Sequence, residues 1–168
     1  MVKLQGWLAH VHLFQAGLLA MSKSVKRVKA TGEVFTPPEL VDDMLSKLPQ
    51  EVWTDSSKTF VDPACGNGNF IIEVIKRKVA NGSTIIEAVE TTYGVDVMPD
   101  NVDECRYRIL SYIHYNHPVH YGSGATRPVI MKAVKNNIRL GDAVQFEMED
   151  IFSDKPSEEQ IGRAHVWT

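Results

Sequence analysis

Asp62-Pro63-Ala64-Cys65-Gly66-Asn67-Gly68-Asn69-Phe70 constrains this chain more than any other stretch. The apolar run Thr59-Phe60-Val61 leads into it, and the helix-patterned run Phe70-Ile71-Ile72-Glu73-Val74-Ile75 leads out. A strand turning through glycines into a helix exposes backbone N–H groups, and the missing side chains let a ligand approach closely. Asp62, closing the strand, argues against phosphate as the first group bound and suits a cationic or hydroxyl-bearing one. Open sheets bind ligands at the carboxyl ends of their strands, so this turn is the first place to expect a site.

The segments that follow alternate in period. Phe70, Ile71, Val74, Ile75 and Val79 form one apolar helical face ending near Asn81-Gly82. A short helix is expected over Thr84–Glu90. Thr91-Thr92-Tyr93-Gly94-Val95 reads as a buried strand ending at Asp96, and Pro99 opens a helix with Val102, Cys105, Ile109 and Ile113 inward. Asn137-Ile138-Arg139-Leu140 reads as a third strand, running into Gly141-Asp142. The alternation predicts an α/β fold with a central parallel sheet, right-handed crossovers and helices on both faces. His117 to Pro128, punctuated by proline and glycine, is expected to be a surface loop, and Ser153–Gln160 a polar one.

Upstream, Thr36 and Glu39 make a capping-box pattern ahead of Leu40, Val41, Met44, Leu45 and Leu48, which recur at helical spacing up to Pro49. Two readings stand side by side. One is a well-capped surface helix; the other lays Phe35-Thr36 extended across a ligand.

Composition narrows the class. The chain has 168 residues, 43% hydrophobic and 23% charged, with a formal net charge of −3, which suits one soluble domain with a real core. The charge gives no global sign of nucleic-acid binding, although Lys23, Lys26, Arg27 and Lys29 form a local basic patch. Cys65 and Cys105 are far apart with no Cys-x-x-Cys pair, which favours reduced thiols in the cytoplasm. His114, His117 and His120 invite a metal reading, but Pro118 breaks their helix and no carboxylate or thiol completes the set, so no metal is expected.

The two ends stand apart. Residues 1–20 are mildly apolar but too interrupted for a membrane span, so no membrane association is expected. Met21 resembles a second start, which makes 1–20 either upstream sequence translated in frame or an amphipathic helix packed on the domain. Residues 161–168 resemble one reading frame of a sequencing adapter, so the domain is expected to occupy 21–160.

Asp62, Asp96 and Asp142 thus close the three expected strands on one sheet edge. An acid one strand from a glycine turn accepts from a ribose diol, and a third can take an exocyclic amine. Gly32–Val41, Asp62–Phe70, Tyr93–Asp96 and Arg139–Ala143 resemble the S-adenosylmethionine-binding motifs of DNA adenine-N6 methyltransferases, in the gamma order found in restriction–modification and phage methylases. The resemblance runs from about residue 31 to 145. It implies a Rossmann-like methyltransferase fold with S-adenosyl-L-methionine as cofactor. Phe35 and Thr36 would meet its methionine end, while Asp62, Ala64, Gly66 and Gly68 cradle the amino acid and sugar. Asp96 would hold the ribose hydroxyls, Val97 or Met98 would lie against adenine, Asp142 would accept from the adenine amine, and Ala143 N–H would donate to its ring. Phe70 would start the helix behind the turn.

The family's catalytic motif, Asn, Asp or Ser followed by Pro-Pro and an aromatic residue, takes the flipped-out target amine. Nothing here matches it, since Thr36-Pro37-Pro38-Glu39 lacks the aromatic and lies elsewhere in the domain. No catalytic residue is therefore assigned. The sheet is expected to stop before its fourth strand, leaving an edge prone to self-association. DNA contacts are expected from regions beyond this chain. RNA or a protein glutamine as acceptor, or a non-catalytic cofactor-binding module, are the alternatives.

Overall fold

The computed structural model describes residues 34–144. The expectations for residues 1–20, the basic patch at 23–29, Ser153–Gln160 and residues 161–168 lie outside the described residues. Among the described residues ten elements follow in order: α1 (Pro38–Ser46), α2 (Glu51–Thr54), β1 (Phe60–Asp62), α3 (Asn69–Ala80), α4 (Ile85–Glu90), β2 (Thr92–Asp96), α5 (Pro99–Asn116), α6 (Pro118–Gly122), α7 (Thr126–Asn137) and β3 (Ile138–Leu140). The strands form one parallel sheet in the order β1-β2-β3, with Asp62 level with Gly94 and Asp96 level with Leu140. Every residue of β2 except Tyr93 is buried, as a central strand covered by helices on both faces requires. The α/β architecture with a parallel sheet flanked by helices is as the alternation predicted.

Two apolar clusters hold these layers. The larger joins α3, α4, α5 and α7 through residues such as Ile71, Ile75, Ala88, Ile109, Ile113 and Val134. The smaller packs Val41 and Leu45 of α1 against Trp53 and Val74, with Phe60 and Phe70 alongside. Trp53 stacks on Phe60 at 5.0 Å between ring centroids, and Arg77 lies over the Trp53 ring. Arg77 also pairs with the Asp42 carboxylate and backbone carbonyl, which docks α1 onto α3. Lys78 is fully buried; its ammonium donates to the Lys58 carbonyl and the Thr91 hydroxyl, tying the start of β1 to the approach to β2. Burial lowers the pKa of that ammonium below its ordinary value.

Four expectations need correction. Thr36 does not cap α1, because Pro37 is the N-cap and no side chain caps the helix there. The reciprocal capping box forms instead at Thr84 and Glu87, ahead of α4. On α1 only Val41 and Leu45 are buried, while Leu40 and Met44 face outward and Leu48 lies past the helix end. The segment 117–128 is largely helical, not a loop, since Pro118 starts α6 and Pro128 falls in the first turn of α7. Proline costs nothing there, because first-turn N–H groups have no helical partner. Finally, Asn137 closes α7 rather than opening the strand; its amide donates to the Val89 and Glu90 carbonyls and pins α7 to α4.

Candidate functional site

The chain leaves β1 at Asp62 and reverses through two left-handed glycines, Gly66 at φ 53° and Gly68 at φ 86°. Cys65 N–H donates to the Val95 carbonyl at 2.9 Å, which hangs the turn on the central strand. Gly68 N–H then donates to the Cys65 carbonyl at 2.8 Å, and α3 begins at Asn69. Phe70 is its second residue and packs into the smaller cluster, behind the turn. The glycines are required by space as well as by φ. A Cβ on Gly68 would stand 2.5 Å from the Cys105 sulfur, and one on Gly66 would stand 3.1 Å from the Phe35 ring. Phe35 and the glycine turn, about thirty residues apart in sequence, are therefore in contact.

The carboxylates at the strand ends behave differently. Asp96 is 9% exposed and already heavily engaged. Its Oδ2 accepts from Gly66 N–H at 2.9 Å, and its Oδ1 accepts from Met98 N–H at 2.8 Å and the Asn101 amide at 3.1 Å. Asp62 accepts from Ala64 N–H at 3.1 Å through Oδ1, and its Oδ2 has no hydrogen-bond partner among the described residues. Burial, together with the nearby Asp96 charge, raises the Asp62 carboxyl pKa above the usual carboxylate value, against the pull of Ala64 N–H. The parallel register sets Asp62 two residues behind Asp96, roughly 6–7 Å along the strand direction. Asp142 follows β3, accepts from Val144 N–H at 3.0 Å, and sits beside Gly141, whose N–H donates to the Asp96 carbonyl. Of the apolar residues named at this edge, Val97 is 60% exposed, while Met98 and Ala143 are half-buried.

Cys65 and Cys105 lie under the turn as buried free thiols. The neighbouring Cys105 thiol, together with burial, pushes the Cys65 thiol far above its ordinary pKa, so it packs as a protonated group rather than serving as a nucleophile. His114 stacks edge-on with Tyr115 and Tyr121, and His117 with Tyr112. Among the described residues no group of three or more His, Cys, Asp or Glu is placed to hold a metal, and no helix is long and apolar enough to cross a membrane.

The structure also brings in residues the sequence reading passed over. Asn101, Glu104 and Arg108 of α5 recur at helical spacing and face the turn. Asn101 holds Asp96, Glu104 accepts from the Asn67 amide at 3.3 Å, and Arg108 donates to the Asn67 carbonyl and the Asn69 side chain, each at 2.8 Å. Their only local signal was that spacing. The asparagines they meet were inside the nine-residue turn motif all along.

Comparison with known proteins agrees with this arrangement. The family described as N-6 DNA Methylase matches residues 17–138. The Type II methyltransferase M.VspI of Vibrio sp. (strain 343) is 41% identical over 58 residues, covering 34% of this chain and 13% of that protein. This chain thus spans only a small part of that relative's length. No solved structure matches the chain. With the family match running from ahead of the first strand to the start of the third, the chain belongs to the N-6 DNA methylase family.

Proposed function

We propose that this chain carries the S-adenosylmethionine-binding part of a DNA adenine-N6 methyltransferase. The observation that carries it is the contact between the Phe35 ring and Gly66, beside an Asp62 oxygen left without a partner among the described residues. Two motifs distant in sequence meet there, at the strand ends where an open sheet takes its ligand. The bound cofactor supplies an activated methyl group. Phe35 and Thr36 line its methionine end, and Ala64, Gly66 and Gly68 offer backbone close to it. Asp62 attracts its cationic ammonium or a sugar hydroxyl. Asp96 has room for one further donor, since a carboxylate accepts about four and Asp96 already takes three from protein groups. Val97 or Met98 lies against adenine, Asp142 accepts from its amine, and Ala143 N–H donates to its ring.

DNA is the proposed acceptor, with adenine N6 as the methylated atom. The 168 residues contain no Pro-Pro-aromatic sequence, so we propose that this chain alone binds cofactor weakly and transfers no methyl group. Incubation with methyl-labelled S-adenosylmethionine and duplex DNA is expected to label nothing, while S-adenosylhomocysteine competes for the site and ATP and NAD do not. Label in the DNA overturns the inactivity, and equal competition by ATP overturns the cofactor. Among the described residues β1 is half-buried and ends the sheet, so self-association through that edge is also proposed. A clean monomer on sizing chromatography at high concentration would count against it.

A further inference from the structure

We infer that Arg108 and Asn69 are positioning residues that set where the Phe35–Thr36 backbone lies over the glycine turn, and thereby how tightly the ligand's amino-acid end is held. The inference rests on the ligand proposed above. Asn69, the first residue of α3, uses both ends of its amide: Nδ2 donates to the Thr36 carbonyl at 2.8 Å, and Oδ1 accepts from Arg108 Nη1 at 2.8 Å. The same Arg108 nitrogen donates its other hydrogen to the Asn67 carbonyl at 2.8 Å. An arginine donates only, so it fixes which end of the Asn69 amide points toward Thr36. That leaves an N–H, and not an oxygen, facing the Thr36 carbonyl. The chain of contacts runs from α5, through the turn, to the extended segment ahead of α1.

Thr36 has little else to place it from its C-terminal side. Pro37 follows it as the N-cap of α1, and no side chain caps that helix. The helix itself is anchored further on, at Val41 and Leu45. Among the described residues the Asn69 amide is thus the hydrogen bond that ties the Thr36 carbonyl to the turn. Arg108, two turns along α5 from Asn101, reaches the turn from the same helix that braces Asp96. One helix face therefore sets both the acid at the end of β2 and the segment opposite it.

Two variants separate positioning from general stability. Asn69→Asp keeps the acceptor for Arg108 and puts a favourable charge in the first turn of α3, but it sets a carboxylate oxygen against the Thr36 carbonyl. Arg108→Met keeps the apolar stem and removes both donors. In the full 168-residue chain, amide exchange is read at Phe35 and Thr36 and across β2, alongside melting and titration with S-adenosylhomocysteine. Each variant is expected to speed exchange at Phe35 and Thr36 and to weaken S-adenosylhomocysteine binding about tenfold, the scale of one lost hydrogen bond. β2 should stay protected, and Asn69→Asp should melt no lower than wild type. Unchanged exchange at Phe35 and Thr36, exchange that rises equally in β2, or unchanged affinity despite a loosened segment would overturn the inference. If exchange responds locally while wild type takes no S-adenosylhomocysteine, the positional link stands and the ligand proposal falls.

Discussion

Asp62 and Asp96 are the same residue type at the ends of neighbouring strands, yet they do different work. Asp96 is turned into the protein, where Gly66 N–H, Met98 N–H and the Asn101 amide converge on it. Asp62 spends one oxygen on its own turn, and the other has no hydrogen-bond partner among the described residues. The difference arises from the glycine turn. Its left-handed residues swing the Gly66 N–H toward β2, so the acid of the neighbouring strand is used to hold the turn. The acid on the turn's own strand is the one proposed to meet a ligand. An acid at a strand end is thus not by itself a ligand contact; which way it faces depends on donors supplied from elsewhere in the fold.

The comparison breaks most completely if the turn cannot form. Gly68→Ala adds a Cβ 2.5 Å from the Cys105 sulfur at a φ of 86°. Backbone strain and overpacking together should cost about 4 kcal/mol in urea denaturation. A loss under about 1 kcal/mol would mean that the turn accommodates a side chain. Asp96→Ala comes next. It removes the acceptor that the Gly66 and Met98 N–H groups and the Asn101 amide share beside the core, for a loss of about 3 kcal/mol. If it costs no more than Asp62→Ala, the two acids are not divided as described.

The smallest effect is on Asp62 itself. Asp62→Asn keeps an acceptor for Ala64 N–H and should change stability at neutral pH by less than about 1 kcal/mol. Its signature lies in pH dependence. Because burial holds the Asp62 carboxyl above its unfolded value of 3.8, the native state binds that proton more tightly than the unfolded chain does. The stability Asp62 contributes is therefore fully present below pH 3.8 and declines as pH rises through the higher folded pKa. Denaturation midpoints of wild type relative to Asp62→Asn should fall over that window. A flat difference would mean that the carboxyl is not perturbed.

Much of this arrangement was legible in the sequence. The short apolar runs and the helical runs located β1, β2, α3 and α5, and the glycines marked the turn, because each is set by local burial and backbone freedom. What was not legible depended on distant partners. Thr36 and Glu39 have capping-box spacing, but Asn69, far along the chain, engages the Thr36 carbonyl and the helix starts after Pro37. The prolines near residues 118 and 128 read as loop signals, yet both sit where a helix tolerates proline. The engagement of Asp96 could not be read from its strand, since its partners come from the turn and from α5. Arg108 is marked locally only by its helical spacing from Asn101 and Glu104, and its contacts span about forty residues.

The central claim is that Asp62, rather than Asp96, is the open acid of an S-adenosylmethionine site. Calorimetric titration of S-adenosylmethionine into wild type and Asp62→Asn tests it most directly, since that substitution removes charge while keeping the turn's hydrogen bond. Asp96→Ala is less decisive, because it also frees the Gly66 N–H. The expected result is measurable, weak binding by wild type and a loss of about tenfold or more in Asp62→Asn, the scale of a hydrogen bond to a charged group, with stability at the titration pH changed by less than about 1 kcal/mol. Equal affinity in the two proteins would contradict the claim.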